Sequence, residues 1–255
     1  MQRILNLAAY AFVAIADASS LADAVRREAA RLGLKGTVLL AAEGINVSLA
    51  GLPEAADAFI AWLRRDPRFA DLRPRRSWSE TVPFGRLQVK VKPEIIRMDC
   101  PAVRPVAGRA PAVDAATLDR WLDAEHDDDG LPLVLLDTRN AFEVDRGAFR
   151  GALDWRLARF SDFPAALAAH SEALAGRSVI AYCTGGIRCE KATILMRQAG
   201  VPAVRQLDGG ILGYLQASRE PRRRWRGECF VFDGREALDA RLVPAGAVVP
   251  MAVAA

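Results

Sequence analysis

The sequence predicts two units in tandem: a ferredoxin-like βαββαβ sandwich, then an α/β domain on a central parallel sheet. Three observations predict this. A chain of 255 residues suits two small domains better than one. The first hundred residues alternate strand and helix signals, while the second half carries continuous apolar runs of the kind a buried parallel sheet needs. Between them, residues 99–113 hold Pro101, Pro105, Pro111, Cys100 and Gly108 with little periodicity, which marks a linker. The expected boundaries are 1–97, a linker over 98–113, a second domain over 114–224 and a short C-terminal segment over 225–255.

Residues 4–15 read as the first strand. Arg3 before an apolar run, with Ala14-Ile15-Ala16 after it, also has the composition of a secretory leader. The single basic residue and the early Asn6 favour the strand. Ser20, with Asp23 three residues on, predicts a helix start. Leu21, Ala24, Val25, Ala29 and Leu32 then form one apolar face, and Gly33 ends it. Residues 37–42 and 45–49 are β-rich runs broken at Glu43-Gly44. Pro53 opens a second helix, with Ala55, Phe59, Trp62 and Leu63 turned inward. Residues 75–78 and 87–91 are the remaining strands. The order βαββαβ leaves one sheet face without helices. No aromatic set lies on these strands, so an RNA-recognition motif is not supported.

In the second unit, Asp114 is the expected cap of a helix carrying Leu118, Trp121 and Leu122. Asp127-Asp128-Asp129-Gly130 reads as a surface loop. Residues 133–136, 179–182 and 204–207 are buried strands, and Asp208-Gly209-Gly210 turns into a helix through residue 215.

Composition excludes several classes. Hydrophobic residues make up 51% and charged residues 26%, as in an ordinary globular protein. Four irregularly placed cysteines are no disulfide framework. His126 and His170 lack partners at ligand spacing and there is no C-x2-C pair, so no metal site is expected. No stretch is long and apolar enough to span a membrane. The net charge of +4 mildly favours an acidic partner. Arg222-Arg223-Arg224-Trp225-Arg226 is the densest basic run, and Lys90 and Lys92 form a smaller pair. An aromatic inside an arginine run suits phosphate contacts with a stacked base. A solvated linker fits the same composition equally well.

The chemistry concentrates at Cys183-Thr184-Gly185-Gly186-Ile187-Arg188-Cys189. The run follows an apolar strand and precedes a helix expected over 190–199. Such a loop turns successive backbone N–H groups toward the Cys183 sulfur. The helix N-terminus and Arg188 add positive charge, and all of these favour the thiolate over the thiol. Gly185 and Gly186 permit the backbone angles of the ring. Cys183 is thus the expected nucleophile, and residues 184–188 its anion cradle.

Cys183 and Arg188 bound a loop of six residues, which resembles the active loop of rhodanese domains. Leu135-Leu136-Asp137-Thr138-Arg139 with Glu143, Gly147 and Gly151-Ala152 resembles the first signature of that family. Leu207-Asp208-Gly209-Gly210-Ile211 with Tyr214 resembles its closing signature. The longer run from Tyr182 through Cys189-Glu190-Lys191-Ala192 is similar to the loop of the bacterial tRNA wobble-uridine hydroxylases. Ala42-Glu43-Gly44-Ile45-Asn46-Val47-Ser48, Leu87-Gln88-Val89-Lys90-Val91-Lys92 and Trp225-Arg226-Gly227-Glu228-Cys229-Phe230-Val231-Phe232-Asp233 extend the resemblance over nearly the whole chain. Longer members of that family carry a cysteine-rich tail, whereas here only Cys229 lies beyond the rhodanese-like unit.

The resemblance implies a cytoplasmic enzyme that hydroxylates uridine 34 of tRNA to 5-hydroxyuridine, with molecular oxygen, a reductant and a cysteine persulfide at Cys183. The alternative is a sulfurtransferase, which needs only the central loop. Cys189 has two readings, a resolving thiol for oxidised Cys183 or a packed small residue, and packing is preferred. Glu190 would complement the helix N-terminus, and Lys191 would touch RNA phosphate. Asp137 and Arg139 would fix the sheet edge. The run Glu43-Gly44-Ile45-Asn46 is turn chemistry by itself, and by resemblance a substrate-placing element.

Overall fold

The computed structural model describes residues 3–244. They divide into two units, one holding residues 3–96, 231–238 and 242–244 and the other holding 97–230 and 239–241.

In the first unit, β1 (Ile4–Phe12), α1 (Ala18–Arg31), β2 (Lys35–Ala41), β3 (Gly44–Gly51), α2 (Pro53–Leu63), β4 (Arg75–Ser79) and β5 (Leu87–Val91) follow in order. The sheet order is β4-β1-β3-β2-β5. The first four strands are antiparallel, as the ferredoxin-like pattern requires, and β5 adds a fifth strand parallel to β2. One helix face and one sheet face meet in a core that includes Leu5, Leu7, Val25, Val38, Leu40, Val47, Phe59 and Leu63.

Two local expectations shift. Helix α1 begins at Ala18, because the Ser20 hydroxyl donates back to the Asp17 carbonyl at 3.0 Å instead of capping an amide. Ala22 is buried on that helix, while Ala24 is only half-buried. On α2 the inward set is Ala56, Phe59, Ile60 and Leu63. Glycine at 44 reflects close packing: a Cβ there would lie 2.1 Å from the Ala11 carbonyl oxygen on β1. Residues 231–238 return to this unit, where Arg235 donates to the Ser77 hydroxyl at 2.7 Å and the Gly234 N–H to the Pro83 carbonyl at 2.9 Å.

The second unit runs β6 (Ala112–Val113), α3 (Ala115–Ala124), β7 (Leu133–Asp137), α4 (Ala141–Arg146), β8 (Gly147–Phe149), β9 (Leu153–Asp154), α5 (Phe163–His170), β10 (Ser178–Tyr182), α6 (Ile187–Gln198), β11 (Ala203–Leu207), α7 (Gly210–Ala217), α8 (Pro221–Arg224) and β12 (Trp225–Gly227). Its main sheet has the order β6-β11-β10-β7-β9 with every pairing parallel. Strand β10 is central and buried along its whole length, which explains its unbroken apolar sequence. Asp114 caps α3 by accepting from the Thr117 N–H at 2.8 Å. The acidic loop is not wholly on the surface. Asp127 is buried and accepts from the amides of Asp129 and Leu131 and from Arg205, each at 3.0 Å.

No described helix is long and apolar enough to cross a membrane.

Candidate active site

The C-terminal end of a central parallel strand is where an α/β sheet presents ligands, and β10 delivers Cys183 there. Helix α6 starts at Ile187, three residues earlier than the sequence predicts, so Arg188 and Cys189 lie in its first turn. Gly186, at φ +100°, makes the bend between loop and helix. Its N–H donates to the Cys183 sulfur at 3.1 Å.

The loop carbonyls point the other way. Those of Cys183 and Thr184 accept from the Ile211 and Leu212 amides at the start of α7, at 2.9 and 3.0 Å. The orphan amides of one helix thereby hold the loop so that its own amides remain for sulfur. Gly210 makes this approach feasible. It has φ +60°, and a Cβ there would lie 2.3 Å from the Cys183 carbonyl oxygen.

Arg188 does not hang free over the ring. Its two terminal nitrogens reach the two carboxylate oxygens of Glu143 at 2.6 and 2.8 Å, and both residues are buried. Glu143 also accepts from the Asn140 amide at 3.0 Å and the Thr184 hydroxyl at 3.3 Å. Burial opposes the Glu143 carboxylate, yet Arg188 and these donors hold its pKa below the ordinary value. The pair fixes Arg188 while leaving its charge close enough to act on sulfur.

Cys183 is fully buried, which by itself would favour the neutral thiol. A hydrogen bond from the Cys189 thiol, the Arg188 charge and the backbone amides of Arg188 and Gly186 outweigh burial, and the thiol pKa falls to about 5. Cys189 moves oppositely. Burial and the Cys183 anion push it well above its usual value, so it remains a donor. Thr138 flanks it, with oxygen and sulfur 3.7 Å apart. Cys189 is itself fully buried, beside the Cys183 thiol whose ionisation it favours.

Asp137 and Arg139 form a buried pair below the loop. Arg139 donates to both Asp137 oxygens at 2.9 and 2.7 Å and to the Gly147 carbonyl at 2.7 Å. This ties the end of β7 to the start of β8. Glu190 takes an ion pair from Arg109 of the preceding connection at 2.9 Å. Lys191 is 2% exposed, on the inner face of α6, so the phosphate contact expected of it has no surface to occur on.

The basic run is split by its secondary structure. Arg222, Arg223 and Arg224 lie on the short α8, where Arg223 and Arg224 pair with Asp123. Trp225 starts β12, and the residue is only 2% exposed. It packs edge-to-face on Phe149, 5.3 Å between centroids, with the Arg139 guanidinium 5.5 Å from the ring centre. The stacking role expected of Trp225 is thus closed to it, because the indole completes a core. Arg222 and Arg226 are exposed, as are Lys90 and Lys92 in the first unit. Glu43 and Asn46 both grip Ile95, accepting from its N–H at 2.8 Å and donating to its carbonyl at 3.3 Å.

Thr138, Glu143 and Gly210 stand in the sequence only as parts of the family signatures and of a turn; their contacts with Cys189, Arg188 and the Cys183 carbonyl come from residues distant in the chain.

Residues 4–95 match the UPF0176 acylphosphatase-like domain, and residues 115–217 match the rhodanese-like domain. The tRNA uridine(34) hydroxylase of Variovorax paradoxus (strain S110) is 59% identical over 238 residues, covering 93% of this chain and 90% of that protein. The protein of the same name from Bordetella petrii is 56% identical over 254 residues and 100% of both chains. Among solved structures, a rhodanese-like domain from Anabaena sp. aligns with 57% of this chain and 92% of its own at 22% identity and TM-score 0.37. With that identity sustained across both domains, the chain belongs to the tRNA uridine(34) hydroxylase family.

Proposed function

We propose that this chain hydroxylates uridine 34 of tRNA to 5-hydroxyuridine, with Cys183 as its reactive group. The observation that carries the reading is the Cys183 sulfur facing the Gly186 amide at 3.1 Å, ahead of Arg188, in the second domain of a chain similar to these hydroxylases from end to end. A soft sulfur anion at neutral pH suits nucleophilic or persulfide chemistry. The Gly186 amide, 3.1 Å from that sulfur, would stabilise either anion.

Molecular oxygen is the oxidant in this reading. One atom enters the C5–H bond of the base as hydroxyl. The other leaves as water, with two protons and two electrons from a reductant. Transfer RNA is the substrate.

The test is nucleoside mass spectrometry of tRNA incubated with the purified chain and a reductant, in air and without it. The expected product is uridine 34 with one added oxygen, formed only in air. Transfer of sulfane sulfur to a thiol acceptor, with no oxygen gained by tRNA, would overturn the reading in favour of a sulfurtransferase.

A further inference from the structure

Two cysteines stand together at the reactive loop, and the chemistry proposed above uses only one of them. Cys183 directly follows β10, and Cys189 lies in the first turn of α6. Gly186 faces both. Its N–H donates to the Cys183 sulfur at 3.1 Å, and its carbonyl accepts from the Cys189 amide at 3.0 Å. Thr138 brackets the pair from β7. Its hydroxyl donates at 3.0 Å to the Tyr182 carbonyl, on the peptide that leads into Cys183, and lies 3.7 Å from the Cys189 sulfur. The two thiols are close enough that each shifts the ionisation of the other.

Both sulfurs are fully buried, so an oxidised Cys183 has its first nucleophile inside the fold. The other two cysteines compete poorly for that role. Burial pushes the Cys229 thiol up to about 12, which keeps it protonated. Cys100 is half-buried in the proline-rich connection ahead of β6.

The electrostatics of the pair depend on the state of Cys183. Burial and the Cys183 anion keep Cys189 protonated, whereas Thr138 and Arg188 favour its thiolate. A sulfenic acid at Cys183 is neutral. Its formation removes the anion that opposes Cys189 ionisation and leaves Thr138 and Arg188 in place. Oxidation of the first sulfur thus makes the second a better nucleophile. Gly185 and Gly186 lie between the two cysteines, so the backbone of the loop can adjust to a bond that closes residues 183–189 into a ring.

We propose that Cys189 is the resolving thiol of Cys183, and that attack of hydrogen peroxide on this site is captured as a Cys183–Cys189 disulfide. The Cys183 thiolate attacks one peroxide oxygen. An S–O bond forms, the O–O bond breaks and hydroxide leaves. The Cys189 sulfur then attacks the Cys183 sulfur. An S–S bond forms, the S–O bond breaks, and the departing oxygen takes the Cys189 proton to leave as water. Two electrons pass from the sulfurs to peroxide. A thiol reductant returns them and restores the thiolate. Without Cys189 the sulfenic acid proceeds to sulfinic acid, which thiols do not reduce. This role holds whatever the substrate of the chain.

The test is mass spectrometry of the full chain after a small molar excess of hydrogen peroxide and alkylation of the remaining thiols. Trypsin cleaves after Arg188, so a Cys183–Cys189 bond joins two peptides that otherwise separate. Wild type is expected to lose two hydrogens in intact mass and to yield the joined peptides. Its thiolate absorbance should vanish with peroxide and return with dithiothreitol. Cys189→Ser should instead gain two oxygens on Cys183, and dithiothreitol should not restore its absorbance. Cys229→Ser should behave as wild type. Thermal midpoints check folding, and the joined peptides from wild type decide the assignment without any variant. A bond from Cys183 to Cys229 or Cys100 would overturn the proposal. So would irreversible oxidation of Cys183 to the same extent in wild type and Cys189→Ser, or a Cys183 thiol that peroxide leaves unchanged.

Discussion

Glu143 and Arg188 meet through two parallel hydrogen bonds of 2.6 and 2.8 Å, joining α4 to the first turn of α6 beneath the cysteine loop. This pair positions the charge that acts on Cys183 without using that charge up. Removing one member of a buried pair leaves the other uncompensated. Glu143→Gln is expected to destabilise the chain by about 3–5 kcal/mol. Urea unfolding at neutral pH checks this, and an unchanged midpoint would contradict it.

The thiolate makes a spectroscopic prediction. Thiolate absorbance near 240 nm should titrate with a midpoint of about 5 for Cys183, and Cys183→Ser should remove that transition. Cys189→Ala takes away a donor to the anion, so the midpoint should rise. A midpoint unaffected by Cys189→Ala would show that the second thiol does not hold the first.

The same shift sets a pH dependence of stability. The folded pKa of Cys183 lies below the unfolded value of about 8.5. Its contribution is therefore fully present above that unfolded value, and is lost as pH falls through about 5. The wild-type thermal midpoint should fall relative to Cys183→Ser as pH is lowered across this window. Parallel curves for the two proteins would contradict it.

Gly210 should be intolerant of any side chain. A Cβ would sit 2.3 Å from the Cys183 carbonyl and 2.9 Å from the Gly186 nitrogen, both backbone atoms. Gly210→Ala must push the loop away from α7 and disturb the amide that faces sulfur. Hydroxylation is expected to fall at least tenfold, equivalent to about 1.4 kcal/mol at the barrier, with circular dichroism showing the fold retained. Wild-type activity in this variant would mean that the loop does not need α7.

The legible parts of this chain were those with a strong local pattern. Cys183, Gly186 and Arg188 could be placed because one short run carries strand end, glycines and charge together. The ferredoxin-like order followed from long amphipathic segments such as α1. What stayed hidden depends on distance in the chain. Glu143 lies 45 residues from Arg188, and Gly210 touches Cys183 from another helix. Trp225 looked like a surface aromatic because three arginines precede it, yet the strand beginning there turns it inward onto Phe149. β6 and β9 have two residues each, too few to show a period. Lys191 was misplaced because α6 is buried on more than one side, so charge was no guide to exposure.

Trp225 yields a prediction that separates packing from RNA contact. Trp225→Ala is expected to cost about 3–5 kcal/mol of stability through the cavity it leaves. Trp225→Phe should retain tRNA affinity within about twofold at temperatures where it is folded, because the indole offers no face to a base. A tenfold loss of affinity in folded Trp225→Phe would return the ring to the RNA interface.

The most direct measurement is nucleoside mass spectrometry of tRNA treated in air with wild type, Cys183→Ser and, as a control thiol, Cys100→Ser. The expected result is 5-hydroxyuridine from wild type and Cys100→Ser and none from folded Cys183→Ser. The same product from Cys183→Ser would show that the reaction does not run through this thiolate, and the account would fail at its centre.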